Sequence, residues 1–364
     1  MQELQHQLEE AWKSSTPFVA YHLPDYPEVY CMMQKDRSLN YLKDYNESGF
    51  VFAPFKESSP SLIFNSDNSE FTKYKVVNKG SDPVSNFDIN QNDKQNYLNL
   101  LEKAINHIKT GKSKKIVLSR VISSDYDLKS PYNLLLKLIT NYPQAFTYVW
   151  YHPEIGLWAG ASPETLAKTY RNRFETMALA GTKPIQSTRQ WTAKEKTEQQ
   201  LVTDTIVASL THHGRNVKVS ERKTEQAGDL FHLRTDIQST FETHKLGDIL
   251  TDLHPTPAVC GLPKDEAYRF ISSHETYDRQ FYTGFLGELN MPKQTQRSKR
   301  TRNQENQAYK TIARASNLFV NLRCLSYEEG RVHIYVGGGI TKDSIPLDEW
   351  EETKNKSRTM LKVL

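Results

Sequence analysis

The chain has 364 residues, enough for one large domain or two ordinary ones, and a core of that size needs no disulfide staples. Its 47 Lys and Arg nearly balance 43 Asp and Glu, which excludes the basic face of a nucleic-acid-binding protein. Apolar residues make up only 37%, but 19 Tyr and 15 Phe supply bulky core material, so the exterior is polar rather than the chain disordered.

In chain order, MQELQHQLEEAWKSS (1–15) reads as an amphipathic helix without the apolar centre of a signal peptide. Short aromatic runs such as FVAYHL (18–23) and FVFAPF (50–55) alternate with Ser, Asn, Asp and Pro, the texture of short strands and loops. Residues 94–109 place Tyr97, Leu100, Leu101, Ile105 and Ile108 at helical spacing, and Gly111 follows as a stop signal. A strand is expected at 114–122, then a helix at 132–140 and strands at 147–151 and 156–161. The clearest long helix spans 192–213, with Leu201, Val202, Ile206 and Leu210 on or near one face. Strands at 281–289, 318–325 and 332–339 and a terminal helix near 347–362 complete the series. Consecutive strands outnumber βαβ units, so the fold class is α+β.

Cys31, Cys260 and Cys324 lie far apart without a CxxC pair, as in a reducing compartment, and the cytoplasm is the expected location. No run approaches the roughly 18 apolar residues of a membrane span, so no membrane partner is expected. The polar stretch 291–307, with basic residues between 293 and 302 but no aromatics among them, reads as a solvated hairpin tip rather than a nucleic-acid patch.

Two acidic pairs stand out. Glu195 and Glu198 open the long helix, three residues apart and hence neighbours on its surface; Glu349, Glu352 and Lys356 share one side of the last helix. Either pair alone reads as a solvated face, but two pairs could converge on one hard cation such as Mg²⁺. Glycines at 337–339 allow backbone N–H groups to approach an anion. Lys114 and Lys115 point to opposite faces of their strand, so one can enter a pocket, and residue type alone does not say which. No dinucleotide or P-loop glycine motif, zinc spacing or GxSxG is present.

Taken in order, KIVLSR (115–120), ASPETL (161–166), LAGTKP (179–184), KEKTEQQLV (194–202), FHLRT (231–235), LHPTPAVCGLP (253–263), DRQFYTGFLG (278–287), LFVNLRC (318–324) and GGGITKDSIPLDEWEETKNK (337–356) resemble the chorismate-utilising enzymes. The similarity is greatest to their isochorismate synthases and covers about 115–364, leaving the first 110 residues less diagnostic. The resemblance implies one chorismate-binding domain over 1–364, an α+β fold of large antiparallel sheets flanked by helices, and an Mg²⁺-dependent central cleft. It implies Lys115 as general base and Glu164 as general acid, tuned in opposite directions by their surroundings. By the same resemblance Glu198 and Glu352 are direct magnesium ligands, and Glu195 and Glu349 hold metal waters. Gly181, Thr182, Gly338, Gly339 and Lys356 are placed at the ring carboxylate, Arg323 and Tyr282 at the enolpyruvyl carboxylate, and His232 in the pocket wall.

Within that family, Ala180 stands where aminodeoxychorismate synthases carry a nucleophilic lysine, and anthranilate synthases lack the base found here at Lys115. Ala258 stands where lyase members have Thr, which favours retention of enolpyruvate and release of isochorismate; a salicylate synthase is the alternative. Two departures are Gln199, where the family often has His, and Cys260, where Ser or Gly is common. The resemblance also implies a monomer with no glutaminase subunit, and a place in menaquinone rather than siderophore synthesis is the expectation.

Overall fold

The computed structural model describes residues 1–24, 26–76, 93–295 and 311–364. Its strands are β1 (Phe18–His22), β2 (Glu28–Gln34), β3 (Gly49–Ala53), β4 (Leu62–Asn65), β5 (Ser69–Lys75), β6 (Lys115–Asp125), β7 (Phe146–His152), β8 (Gly156–Ser162), β9 (Thr165–Tyr170), β10 (Arg173–Pro184), β11 (Gly214–Val219), β12 (Lys223–Ala227), β13 (Leu230–Phe241), β14 (Gly261–Leu262), β15 (Phe285–Thr295), β16 (Thr311–Val320), β17 (Cys324–Glu328) and β18 (Arg331–Ile340). Its helices are α1 (Gln2–Lys13), α2 (Lys94–Lys109), α3 (Pro131–Asn141), α4 (Ala193–His213), α5 (Leu246–Leu253), α6 (Lys264–His274) and α7 (Pro346–Leu361).

The strands form two antiparallel sheets. One runs β14-β6-β18-β17-β8-β7-β1-β2-β5; the other runs β11-β13-β10-β9-β16-β15-β3-β4, with β12 also on β13. This is the α+β arrangement expected from the sequence. Side chains alternate across a strand, and here both faces are buried, for two different purposes. In β1, Phe18 and Ala20 pack beneath α1 and α3, whereas Val19 and Tyr21 enter a core shared by both sheets. In β3, Val51 and Ala53 face α4 and α5, and Phe50 and Phe52 enter that shared core. The core between the sheets is rich in aromatic rings, among them Tyr21, Phe50, Phe52, Phe146, Trp150 and Trp158. Phe146 of β7 stacks on Phe319 of β16 at 4.3 Å and Phe52 of β3 meets Trp150 of β7 at 5.0 Å between centroids, close packing that binds one sheet to the other.

Strand β6 serves the site through the same alternation. Ile116 and Leu118 pack under α2, α6 and α7 with Trp350, leaving Lys115 and Val117 on the other face. Helix α4 is started by Thr192, whose hydroxyl accepts from the Glu195 N–H while the Glu195 carboxylate accepts from the Thr192 N–H, a capping box of the kind that contributes about 1 kcal/mol. Val202, Ile206 and Leu210 then bury one side of it against the second sheet.

Two expected strands are broken. The run 281–289 begins as a turn and becomes strand at Phe285, and 318–325 divides into β16 and β17 around residues 321–323. Thr283 (φ 62°) and Arg323 (φ 48°) take left-handed backbone conformations at these breaks. Of the polar stretch 291–307, residues 291–295 continue β15, and its expected hairpin tip lies outside the described residues. Among the described residues, no helix is long and apolar enough to cross a membrane.

Candidate active site

A cavity of about 530 Å³ lies beside β6, β10, β18, α4 and α7. It is lined by every residue that the resemblance assigned to the site: Lys115, Glu164, Gly181, Thr182, Glu195, Glu198, His232, Ala258, Tyr282, Arg323, Gly338, Gly339, Glu349, Glu352 and Lys356. Its size lies in the range of small-molecule sites.

The lysine ambiguity resolves in the structure: Lys115 is 1% exposed and lines the cavity, while Lys114 faces out. The Lys115 ammonium donates to Glu198 Oε1 at 2.9 Å. Gly339 makes this approach possible, because a Cβ there would stand 2.7 Å from Lys115 Cε and 2.6 Å from Glu198 Oε1. A Cβ at Gly338 would lie 3.5 Å from carboxylate oxygens of both Glu349 and Glu352, which brings α7 to the same glycine strand.

Four glutamates of α4 and α7, Glu195, Glu198, Glu349 and Glu352, form a rim in which each holds a basic side chain. Lys194 donates to Glu349 Oε1 at 2.9 Å and so joins α4 to α7. Lys356 pairs with Glu352 at 2.7 Å and donates to the Gly337 carbonyl at 2.9 Å. Arg189 grips Glu195 with both guanidinium arms. Burial works to raise the Glu195 carboxyl, but Arg189 and Thr192 outweigh it and hold it below the ordinary carboxylate value. Glu349 goes the other way, raised by burial and by the nearby Glu352 charge. Sequence reasoning missed Lys194 and Arg189 as partners; the signal available was the KEKTE alternation, which sets Lys194 directly before Glu195. Among the described residues no three His, Cys, Asp or Glu side chains stand in metal-holding geometry.

The floor is different. Glu164 is 4% exposed and forms no ion pair among the described residues. Burial pushes its carboxyl up to about 8, against the opposing pull of the Lys115 and Lys356 charges. A buried carboxyl in that condition is protonated at neutral pH and is a proton donor. His232, buried and next to the charges of Arg323 and Lys356, is pushed down to about 3, burial being the larger cause. It is therefore neutral, and its contacts assign the tautomer: Nδ1–H donates to the Gly181 carbonyl at 2.9 Å, and Nε2 accepts from Arg323 at 3.1 Å. Arg323 also donates to Thr359 Oγ1 at 3.2 Å, yet it meets no carboxylate among the described residues. Its fork is held in place without a counter-ion. Tyr282, 3% exposed, stacks on Tyr335 at 5.5 Å along the same wall.

The two departures from the family pattern have local explanations. Gln199 donates to Thr203 and Thr235 hydroxyls, each at 2.9 Å, tying α4 to β13 beneath the cavity. Cys260 is buried, and burial pushes its thiol up to about 12, so it packs as a small apolar group.

Known proteins similar to this chain fall in one family. Isochorismate synthase DhbC of Bacillus subtilis is 29% identical over 295 residues, covering 74% of this chain and 68% of its own length. Isochorismate synthase MenF of Escherichia coli is 29% identical over 291 residues, covering 74% of this chain and 61% of its own. The matched region thus spans about two thirds of these relatives. A crystal structure described as a 2,3-dihydroxybenzoate-specific isochorismate synthase, DhbC, from Bacillus anthracis superposes with a TM-score of 0.77 at 23% identity over 99% of both chains, which establishes a shared fold. Two family descriptions, each a chorismate binding enzyme, match residues 55–296 and 309–362. With a chorismate-binding description matching residues 55–296, more than half of its length, the chain belongs to the chorismate-binding enzyme family.

Proposed function

We propose that this cavity converts chorismate to isochorismate. The observation that carries the reading is the pairing, in one cavity, of a buried amine at Lys115 with a buried carboxyl at Glu164 kept neutral at pH 7. Water adds at C2 of the ring and the C4 hydroxyl leaves as water, so the reaction is a net isomerisation. In its neutral amine form Lys115 takes the proton from the incoming water; Glu164 gives its proton to the departing oxygen. Both groups are regenerated by exchange of one proton each with solvent.

Chorismate carries two carboxylates, and the cavity offers two unlike places for them. The Arg323 fork, oriented by His232 and Thr359 and lacking a carboxylate of its own, suits the enolpyruvyl carboxylate, with Tyr282 beside it. The ring carboxylate belongs near Gly181, Thr182, Gly338, Gly339 and Lys356. The half-buried Ala258 leaves the wall there without a hydroxyl, which favours retention of the enolpyruvyl group.

The donor set fits a hard divalent cation such as Mg²⁺: the rim supplies only carboxylate oxygens, and Glu349 and Glu352 burden each other with negative charge. Glu198 and Glu352 would hold the ion, with Glu195 and Glu349 holding its waters. When bound it would supply positive charge toward the ring carboxylate. Isochorismate synthases described as menaquinone-specific and as vibriobactin-specific are both similar to this chain, and the proposal concerns the reaction they are named for.

The test is incubation of the full chain with chorismate and Mg²⁺, followed by chromatographic separation of isochorismate, salicylate, pyruvate and anthranilate. Isochorismate without stoichiometric pyruvate supports the reading. Salicylate with equal pyruvate replaces it with the lyase alternative, and no conversion overturns it.

A further inference from the structure

Behind the cavity wall, an ion pair stands where a strand is missing. β14 pairs with β6 only at Lys115 and Ile116, flanked by two further bonds, from the Lys114 N–H to the Leu262 carbonyl at 2.7 Å and from the Val117 N–H to the Cys260 carbonyl at 2.8 Å. The next groups on that edge of β6 are the Val117 carbonyl and the Ser119 N–H, two residues apart and hence on the same side. Side chains meet both. Arg279 donates to Val117 O at 2.7 Å, and Glu275 Oε1 accepts from Ser119 N–H at 2.8 Å. Glu275 and Arg279 are themselves joined by two bonds, at 2.6 and 2.8 Å, with side chains 3% and 2% exposed. The pair continues the hydrogen-bonding ladder of β6 from the point where β14 stops.

The same guanidinium reaches two other segments. Its other arm donates to the Val259 carbonyl at 3.1 Å, next to Ala258, and to Thr283 Oγ1 at 3.3 Å, next to Tyr282. The Arg279 carbonyl also accepts from the Tyr282 N–H at 2.8 Å. Neither Glu275 nor Arg279 lines the cavity, whereas Val117, Val259, Tyr282 and Thr283 all do. One buried charge pair therefore fastens together the strand carrying Lys115, the segment carrying Ala258 and the turn carrying Tyr282.

We infer that Glu275 and Arg279 are positioning residues for the reaction, setting the base-bearing strand against the substrate-binding turn. The inference rests on the proposed chorismate chemistry at Lys115. A buried ion pair is weak as a stabilising device, because the desolvation of two charges offsets most of their attraction. Its distinctive contribution is directional: a planar fork fixes several acceptors at once, which a lysine in the same place cannot do.

The experiment uses the full chain with Arg279→Lys, which keeps the charge, and Glu275→Gln, which keeps an acceptor for Ser119. Leu138→Ala in the core beneath α3 serves as a control for destabilisation remote from the cavity. Assays run at a temperature where melting curves show every variant folded. Positioning predicts that kcat falls about ten- to a hundredfold in both site variants while KM for chorismate changes little, as expected when reacting groups are displaced by about 1 Å. It also predicts a larger yield of pyruvate per turnover, which a purely structural role would not produce. The control keeps the kcat and product ratio of the unaltered chain. Unaltered kcat and product ratio in both folded site variants overturn the inference, as does failure of both to fold. Absence of conversion by the unaltered chain is the separate result that removes the functional reading beneath it.

Discussion

The rim and the floor of the cavity treat charge in opposite ways. At the rim, Glu195, Glu198, Glu349 and Glu352 each hold one basic partner, respectively Arg189, Lys115, Lys194 and Lys356. At the floor, Glu164 and Arg323 hold no counter-ion among the described residues, and His232 is neutral. Matched charges can remain ionised in a protein interior, whereas an unmatched carboxyl there moves toward its neutral form. Under the proposed function, the rim would exchange its basic partners for a divalent cation. Under the same proposal, the floor would hold a proton at Glu164 and receive an anion at Arg323.

Lys115 belongs to both regions, and removing it tests the largest claim. Lys115→Ala deletes the proposed base and is expected to lower kcat about a hundred- to ten-thousandfold, the usual worth of general base catalysis. Chorismate binding, read by equilibrium titration, should persist because Arg323 and Lys356 are untouched. Turnover at the unaltered rate would dissolve the distinction between the regions by making the amine a mere counter-ion of Glu198.

Arg323→Met comes next. It removes the floor's unmatched cation, and charged hydrogen bonds of about 1.5–3 kcal/mol predict a KM for chorismate about ten- to a hundredfold higher. A KM equal to that of the unaltered chain would mean that the fork faces no substrate carboxylate. At the rim, Glu352→Gln keeps the shape and removes one charge. The Mg²⁺ concentration for half-maximal activity should rise about tenfold, in line with loss of one ligand charge from a hard-cation site. An unchanged Mg²⁺ titration would take the ion away from α7.

How much of this was legible in the sequence differs between the same regions. Spacing alone puts the rim acids in pairs on shared helix faces, because glutamates three apart on a helix are neighbours whatever the fold around them, but only the family resemblance assigned those faces to a site. Their partners could not: Lys194 and Glu349 are 155 positions apart, and only the packing of α4 beside α7 brings them together. On the floor, the apolar run containing Arg323 reads as an uninterrupted strand because apolarity reports burial and not backbone angle. The left-handed turn at Arg323 that aims its fork inward leaves no mark in hydrophobic periodicity. The same holds for Tyr282, where the turn at Thr283 interrupts an equally apolar run. Similarity to family motifs placed both residues where periodicity had them in strands. The Glu275–Arg279 pair escaped both approaches, since its value depends on where β14 ends.

The smallest predicted effect is the one that reads the floor most directly. Glu164 donates a proton only while protonated, and its carboxyl lies at about 8. Below that pH the donor form predominates; above it, each further unit removes about nine tenths of what remains. The kcat/KM for chorismate, which reports groups of the free enzyme, should therefore be level at neutral pH and fall with rising pH through about 8. Glu164→Gln has no proton to lose, so it should react slowly and lack that descending limb. A limb retained in Glu164→Gln would assign the titration to another group. A profile level through pH 9 in the unaltered chain would mean that chorismate chemistry draws its acid from elsewhere, and the contrast between a paired rim and an unpaired floor would lose its functional meaning.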